Sequence, residues 1–261
     1  MIDPKSTMPV LFLAHGTPMN ALEDNMITKD WQSMIIDLPK PDAVVCISAH
    51  WETRGTYITT AKKPGTLHDF GGFPQALFDI EYACPGAPEL AHKIINQVDL
   101  TAIQADPLRQ LDHGVWSLML KLFPLADIPT IQLSLDVNQE PEFHFQLGRQ
   151  LSFLRKQNIL LISSGNIVHN IRKWMKDPDG PMDWSIEFDN WVYQSIQRRD
   201  LNRLLKYETL APYAHDAVPT PEHFTPLLYC LGAQNESDRL HTSAFIAENP
   251  ESSAMRSIRW G

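Results

Sequence analysis

The sequence predicts an α/β protein: a single domain over residues 1–261, with a central, mostly parallel (mixed) β-sheet and helices packed on both faces. Three observations carry that expectation. Short, uniformly apolar runs recur along the chain, helical patterns fall between them, and 261 residues are enough to bury one large core. The apolar runs are residues 10–14, 43–48, 57–60, 128–133 and 159–163, each too short and too apolar for an amphipathic helix, so they read as buried strands. Residues 88–98 open with a proline suited to a first helical turn, 116–123 are apolar on most faces, and 141–156 alternate apolar and polar positions at helical spacing. Further helices are expected at 184–199 and 221–231, and a last strand at 253–259. Residues 62–88 differ. They hold four glycines and several prolines among aromatic residues without a sustained period, and so read as a long ordered loop, a lid or a substrate wall.

Composition narrows the function. A hydrophobic fraction of 43% and a charged fraction of 20% are those of a globular protein, and twenty prolines against twelve glycines favour ordered connections. Twenty-two basic against 31 acidic residues leave a formal charge of −9 with no basic stripe, which argues against nucleic acid as a partner. The start of the chain, Met1-Ile2-Asp3-Pro4-Lys5, lacks a basic region followed by an apolar run, and no stretch approaches the roughly 20 apolar residues that span a bilayer. No membrane association and a cytoplasmic location are expected. Cys46, Cys84 and Cys230 have no CxxC spacing and fit reduced, packed thiols. No heptad pattern is present to predict an oligomer.

The histidines carry the chemistry. His15 directly follows the first apolar run, His50 follows the second after one alanine, and His169 comes six residues after the run ending at Ser163. In open α/β sheets the ligand crevice lies at these strand ends, so imidazoles far apart in sequence can converge on one metal ion. His223, in Thr220-Pro221-Glu222-His223-Phe224, is a fourth candidate; Thr220 is placed to cap a helix and Pro221 to occupy its first turn. His113 sits in a loop just before a helix, and His68 lies in the long loop, where structural and substrate-contact roles are equally open. His92 and His144, inside helical patterns, read as solvated or packed; His215 and His241 have no distinctive context. The chain lacks GxGxxG after a strand, GxxxxGK[ST], GxSxG and HExxH, which removes support for nucleotide cradling, a serine nucleophile elbow or a zincin helix.

Six motifs in order carry a closer resemblance: Leu13-Ala14-His15-Gly16-Thr17-Pro18-Met19, Ile47-Ser48-Ala49-His50-Trp51, His68-Asp69-Phe70-Gly71-Gly72-Phe73-Pro74, Leu111-Asp112-His113-Gly114-Val115-Trp116, Ser164-Gly165-Asn166-Ile167-Val168-His169-Asn170 and Pro219-Thr220-Pro221-Glu222-His223-Phe224. The sequence resembles the bacterial and plant 4,5-DOPA extradiol dioxygenases of the class III extradiol, LigB-type superfamily. The resemblance implies a divalent metal, Fe(II) for ring cleavage and often Zn(II) in isolated protein, with His15, His50 and His223 as matching ligands. His169 matches a position that is either a further ligand or the acid-base histidine, and His113 one that contacts substrate or oxygen. More distant relatives use a carboxylate as third ligand; here Glu222 neighbours the matching histidine. A catechol and O2 are the implied reactants, with His68 and Phe73 in the substrate wall. Two other classes use the same histidines: a zinc-dependent hydrolase, and a non-catalytic binder of metal or small molecules.

Overall fold

The structure, a computed structural model, describes residues 7–177, 182–243 and 255–261. The N-terminal pentapeptide and the first two residues of the expected last strand lie outside the described residues. The described strands are β1 (Val10–Ala14), β2 (Ala43–Thr53), β3 (Thr56–Thr59), β4 (Ile103–Asp106), β5 (Thr130–Asp136), β6 (Ile159–Gly165), β7 (Leu240–Thr242) and β8 (Ile258–Trp260). They form one sheet in the order β4-β3-β5-β2-β6-β1-β8-β7. The inner pairs β5–β2, β2–β6 and β6–β1 are parallel, so four strands deliver their carboxyl ends to one rim. Antiparallel pairing appears toward the margins, where β3 meets β5 and β8 meets β1 and β7.

Side-chain alternation explains why the apolar runs lie inside. Val10 and Phe12 of β1, with Val45 and Ile47 of β2, face one apolar layer, where helices Pro88–Gln97, Pro141–Leu151, Asp183–Gln197 and Thr225–Ala233 add their buried sides. Leu11, Leu13, Val44 and Cys46 face the other, covered by helices Met26–Ser33 and His113–Leu122. Strands covered on both faces read as continuous hydrophobic runs because each successive residue has a core to enter. Gly148 and Gly232 let helices Pro141–Leu151 and Thr225–Ala233 meet at backbone contact; a Cβ on either would collide with a carbonyl of the other helix. Among the described residues no helix is long and apolar enough to cross a membrane.

Several boundaries differ from the sequence expectation. β2 does not stop at residue 48 but continues through His50 to Thr53, because pairing with Leu135 and Asp136 of β5 persists after the apolar character ends. β4 alternates too weakly to be read, since only Ile103 of its four residues is fully buried. The last strand begins at Ile258 rather than at 253, and the helix expected over 221–231 is a 3-10 turn, Pro221–His223, followed by an α-helix from Thr225. The long loop is ordered as expected. Gly86 N–H donates to the Lys62 carbonyl and closes its ends, a bridge joins Thr66 to Leu111, and Gln75–Phe78 forms a short helix within it.

Candidate metal centre

The rim of the sheet gathers five imidazoles. His15 extends the β1–β6 ladder by one bond, its N–H donating to the Gly165 carbonyl, and the chain then turns at Gly16 with φ +61°. His50 sits where the register of β2 on β5 shifts, between Ile47 and Glu52. Side chains hold its backbone there: Ser48 Oγ accepts from His50 N–H at 3.2 Å, and Arg109 donates to the His50 carbonyl at 3.1 Å. His223 ends the 3-10 turn. Nε2 of His15 and Nε2 of His50 lie 3.0 Å apart, and the ligand-type nitrogens of His15, His50 and His223 all fall within 4.8 Å of one another. Nitrogens bound about 2.0–2.1 Å from one divalent ion are separated by roughly 3–3.4 Å, so the His15–His50 pair has that spacing and the His223 nitrogen lies near enough to join the same ion after a small shift.

The surrounding hydrogen bonds decide which nitrogens are bare. Ser164 Oγ gives its proton to the Gly114 carbonyl at 2.6 Å, so its lone pair accepts from His15 Nδ1–H at 2.9 Å and His15 Nε2 carries no proton. Glu222 Oε1 accepts from His223 Nδ1–H at 3.0 Å, which leaves His223 Nε2 bare, buried and without a partner among the described residues. A histidine whose far nitrogen is tied to a carboxylate or hydroxyl is a preoriented metal ligand. An unpaired buried nitrogen is costly unless something completes it, and a divalent cation of the zinc or iron(II) type fits this donor set.

Charge agrees with geometry. Burial, reinforced by the neighbouring imidazoles, lowers His15 well below its usual value and His50 to about 2; burial also lowers His223, although Glu222 opposes it. His169 is lowered to about 4, mainly by burial and then by His223. These four rings are therefore neutral near pH 7, the state that binds metals. Burial alone would raise Glu222, but its hydrogen bond from His223 and its other donors win and bring it to about 2, so it is a carboxylate.

The sequence candidates are distributed as follows. His15, His50, His113 and His223 meet, with ring centroids 4.0 to 5.8 Å apart, and His169 stacks on His223 at 3.4 Å. His169 Nδ1 is 4.0 Å from Glu222 Oε1. His113 is not in a loop but is the first residue of helix His113–Leu122; its Nδ1 and its backbone N–H both reach Asp69 Oδ1, at 2.9 and 3.0 Å. His68 lies behind Phe70, its Nε2 3.0 Å from the Ile80 carbonyl, while Phe73 packs edge-on against Phe70. Thr220 makes no side-chain cap; its hydroxyl donates to Glu222 Oε1 instead. His144 is packed and hydrogen-bonded to Tyr229, and the three cysteines are buried and free.

Residue-by-residue reading missed the supporting layer. Asp112, fully buried, accepts from Ser48, Gln132 and Arg109, and thereby ties the His113 helix to the irregular part of β2. Gly114 fits between them: a Cβ there would lie 2.7 Å from Ser48 Oγ and 3.0 Å from His50 Cδ2. Asp69, Asp112 and Gly114 each sit within a quoted motif beside a histidine, the one signal that marked them.

The comparisons with known proteins agree. Residues 9–256 match the family described as the catalytic LigB subunit of aromatic ring-opening dioxygenase, and the chain belongs to that family. It is 44% identical over 237 residues to the 4,5-DOPA dioxygenase extradiol of Escherichia coli K12, covering 87% of this chain and 85% of that one, and 36% identical to the Beta vulgaris protein of the same name, covering 87% of each. A crystal structure of an uncharacterized Escherichia coli K12 protein superposes with a TM-score of 0.80 at 36% identity, covering 97% of this chain and all of that one. The protein is accordingly an extradiol aromatic ring-opening dioxygenase.

Proposed function

We propose that residues 1–261 form one catalytic domain that opens the ring of a catechol such as L-DOPA, by 4,5-cleavage with O2 to a seco-DOPA semialdehyde, at a metal held by His15, His50 and His223. The observation that carries this reading is the convergence of three imidazoles whose Nδ1 protons are engaged by Ser164 at His15 and by Glu222 at His223, leaving bare Nε2 atoms close together in a family of ring-opening dioxygenases. Fe(II) is the ion for turnover, and the same neutral nitrogens would retain Zn(II) in isolated protein. Bound there, iron supplies one point at which catechol and O2 are held together and exchange electrons.

The chain's own groups do the rest. Glu222, 4.0 Å from His169 Nδ1, favours positive charge on that ring, and in this reading His169 takes a catechol hydroxyl proton and later returns it. In this reading His169 has the acid-base role rather than that of a fourth ligand. Asp69 fixes the His113 proton at Nδ1, so His113 Nε2 meets substrate or oxygen. Phe70 and Phe73 wall the aromatic ring, and His68 contributes to binding by backing that wall. The reduced state of the three buried thiols suits a cytoplasmic enzyme.

The test is reconstitution of metal-free protein without oxygen, with Fe(II) or with Zn(II), followed by L-DOPA and a panel of catechols. Oxygen uptake matched to a yellow ring-opened product with Fe(II) alone is expected. A filled metal site with no oxygen uptake on any catechol would refute the reading.

A further inference from the structure

Next to the histidine cluster is a cavity of about 290 Å³ whose lining includes His169, Ile171, Arg172, Pro219, Thr220 and Glu222. It shares His169 and Glu222 with the metal centre, so a catechol handled by His169 has this space beside it. The polar groups around the cavity are nearly all engaged. Asn170 accepts from Lys173 N–H and donates to the Asp216 carbonyl; Lys173 Nζ pairs with Asp216 at 2.7 Å. Thr220 donates to Glu222 Oε1, which also accepts from His223. Arg172 differs from all of them. Exposed at the cavity's edge, it makes no hydrogen bond or ion pair among the described residues, so its guanidinium brings donors and a positive charge that no described residue answers.

We propose that Arg172 anchors a carboxylate on the side chain of the catechol, which makes this cavity a subsite selecting acid-bearing catechols over neutral ones. The inference rests on the ring-cleavage reading, whose L-DOPA already carries a carboxylate, and adds the residue that would hold it and select for it. A guanidinium presents two parallel N–H donors that match a carboxylate, an arrangement that a lysine's single ammonium cannot reproduce. The apolar edges of Ile171 and Pro219 suit the methylene chain that would link such a carboxylate to the ring. Glu222 lies in the same wall as a carboxylate whose Oε1 is already held by Thr220 and His223, so the guanidinium of Arg172 is the group of this cavity free to take an anion.

The test compares 3,4-dihydroxyphenylacetate with 4-methylcatechol in two ways: calorimetric binding to the Zn(II)-loaded protein without oxygen, and turnover by the Fe(II)-loaded protein. In Arg172→Gln the acid-over-neutral ratio of affinities should fall about tenfold, and the corresponding kcat/KM ratio should fall with it, through KM, as expected for loss of a charge-assisted contact. Arg172→Lys should recover part of the ratio, and Lys173→Gln, whose charge is already paired with Asp216, should leave it unchanged. Wild-type protein that binds and cleaves both catechols, with the ratio unaltered in Arg172→Gln, would overturn the subsite and leave ring cleavage standing. Wild-type protein that binds and cleaves neither would overturn both.

Discussion

Two buried polar clusters occupy opposite ends of the same parallel strands, and they are finished differently. At the amino ends, Arg155 is fully buried and spends every donor: Nε on the Met8 carbonyl, one terminal nitrogen on the Ala233 carbonyl and Asp238, the other on Asp238 and the Trp260 carbonyl. At the carboxyl ends His15, His113 and His223 are buried too, and their outer nitrogens are tied to Ser164, Asp69 and Glu222, yet His223 Nε2 has no partner among the described residues. Burial alone therefore does not mark function. A closed set of hydrogen bonds around a charge holds β1, β8 and the end of helix Thr225–Ala233 together. An open one, oriented by its own supports and lacking its last contact, is a place for something to bind.

The contrast breaks most sharply at the open end. His15→Ala or His223→Ala should abolish stoichiometric metal binding and ring cleavage while leaving a folded protein, read by metal analysis and circular dichroism; full metal content in either would remove the site proposed here. Arg155→Leu should do the reverse, costing about 3–5 kcal/mol of unfolding free energy because Asp238 loses its buried cationic partner and three carbonyls lose the Arg155 donors, with metal content of the folded fraction unchanged. Denaturant titration measures that loss, and a change under 1 kcal/mol would show that the cluster is not structural. Glu222→Ala should weaken metal binding by about 10–100-fold, the usual consequence of removing a carboxylate behind a ligating histidine. Competition against a chelator reads it directly, and unchanged affinity would mean that the His223 orientation is held by packing instead.

The inner sheet and the histidines were legible in the sequence for one reason: both are written in contiguous residues. An apolar run ending at His15 states a strand and the location of its end together, and parallel topology then brings that end to the same rim as His50. What could not be read depends on contacts between distant segments. β4 has a single fully buried side chain among its four residues, and β2 beyond residue 48 is polar and is held as a strand by β5 alone. Asp112 is 64 residues from Ser48 and 20 from Gln132, so nothing local reveals that it braces His50. Likewise the cavity beside Arg172 exists only because residues 169–172 and 219–222 are brought together. Local pattern gives the strands and the reacting groups, and the second layer that aims them belongs to the tertiary fold.

His144 offers a finer test, because it is a buried histidine outside the metal centre, in the helix that follows the carboxyl end of β5. Its Nδ1 is 3.0 Å from the Tyr229 hydroxyl, the Gln139 backbone takes a further bond, and burial lowers its pKa to about 4 although Asp136 and Gln139 oppose the shift. The fold thus favours the neutral ring. Between the unfolded value near 6.5 and the folded value near 4, the unfolded chain binds a proton that the native state refuses, so the stability this residue contributes is present above 6.5, declines as pH falls and is gone below about 4. From pH 7 to 5.5 the decline amounts to about 1 kcal/mol. His144→Gln, which retains a partner for Tyr229 but does not titrate, should lose that much less stability than wild type over the same interval, measured by denaturant titration in matched salt. Equal losses would mean that His144 is already free to protonate in the native state, and that a hydrogen-bonded histidine outside the metal centre is left as open as those within it.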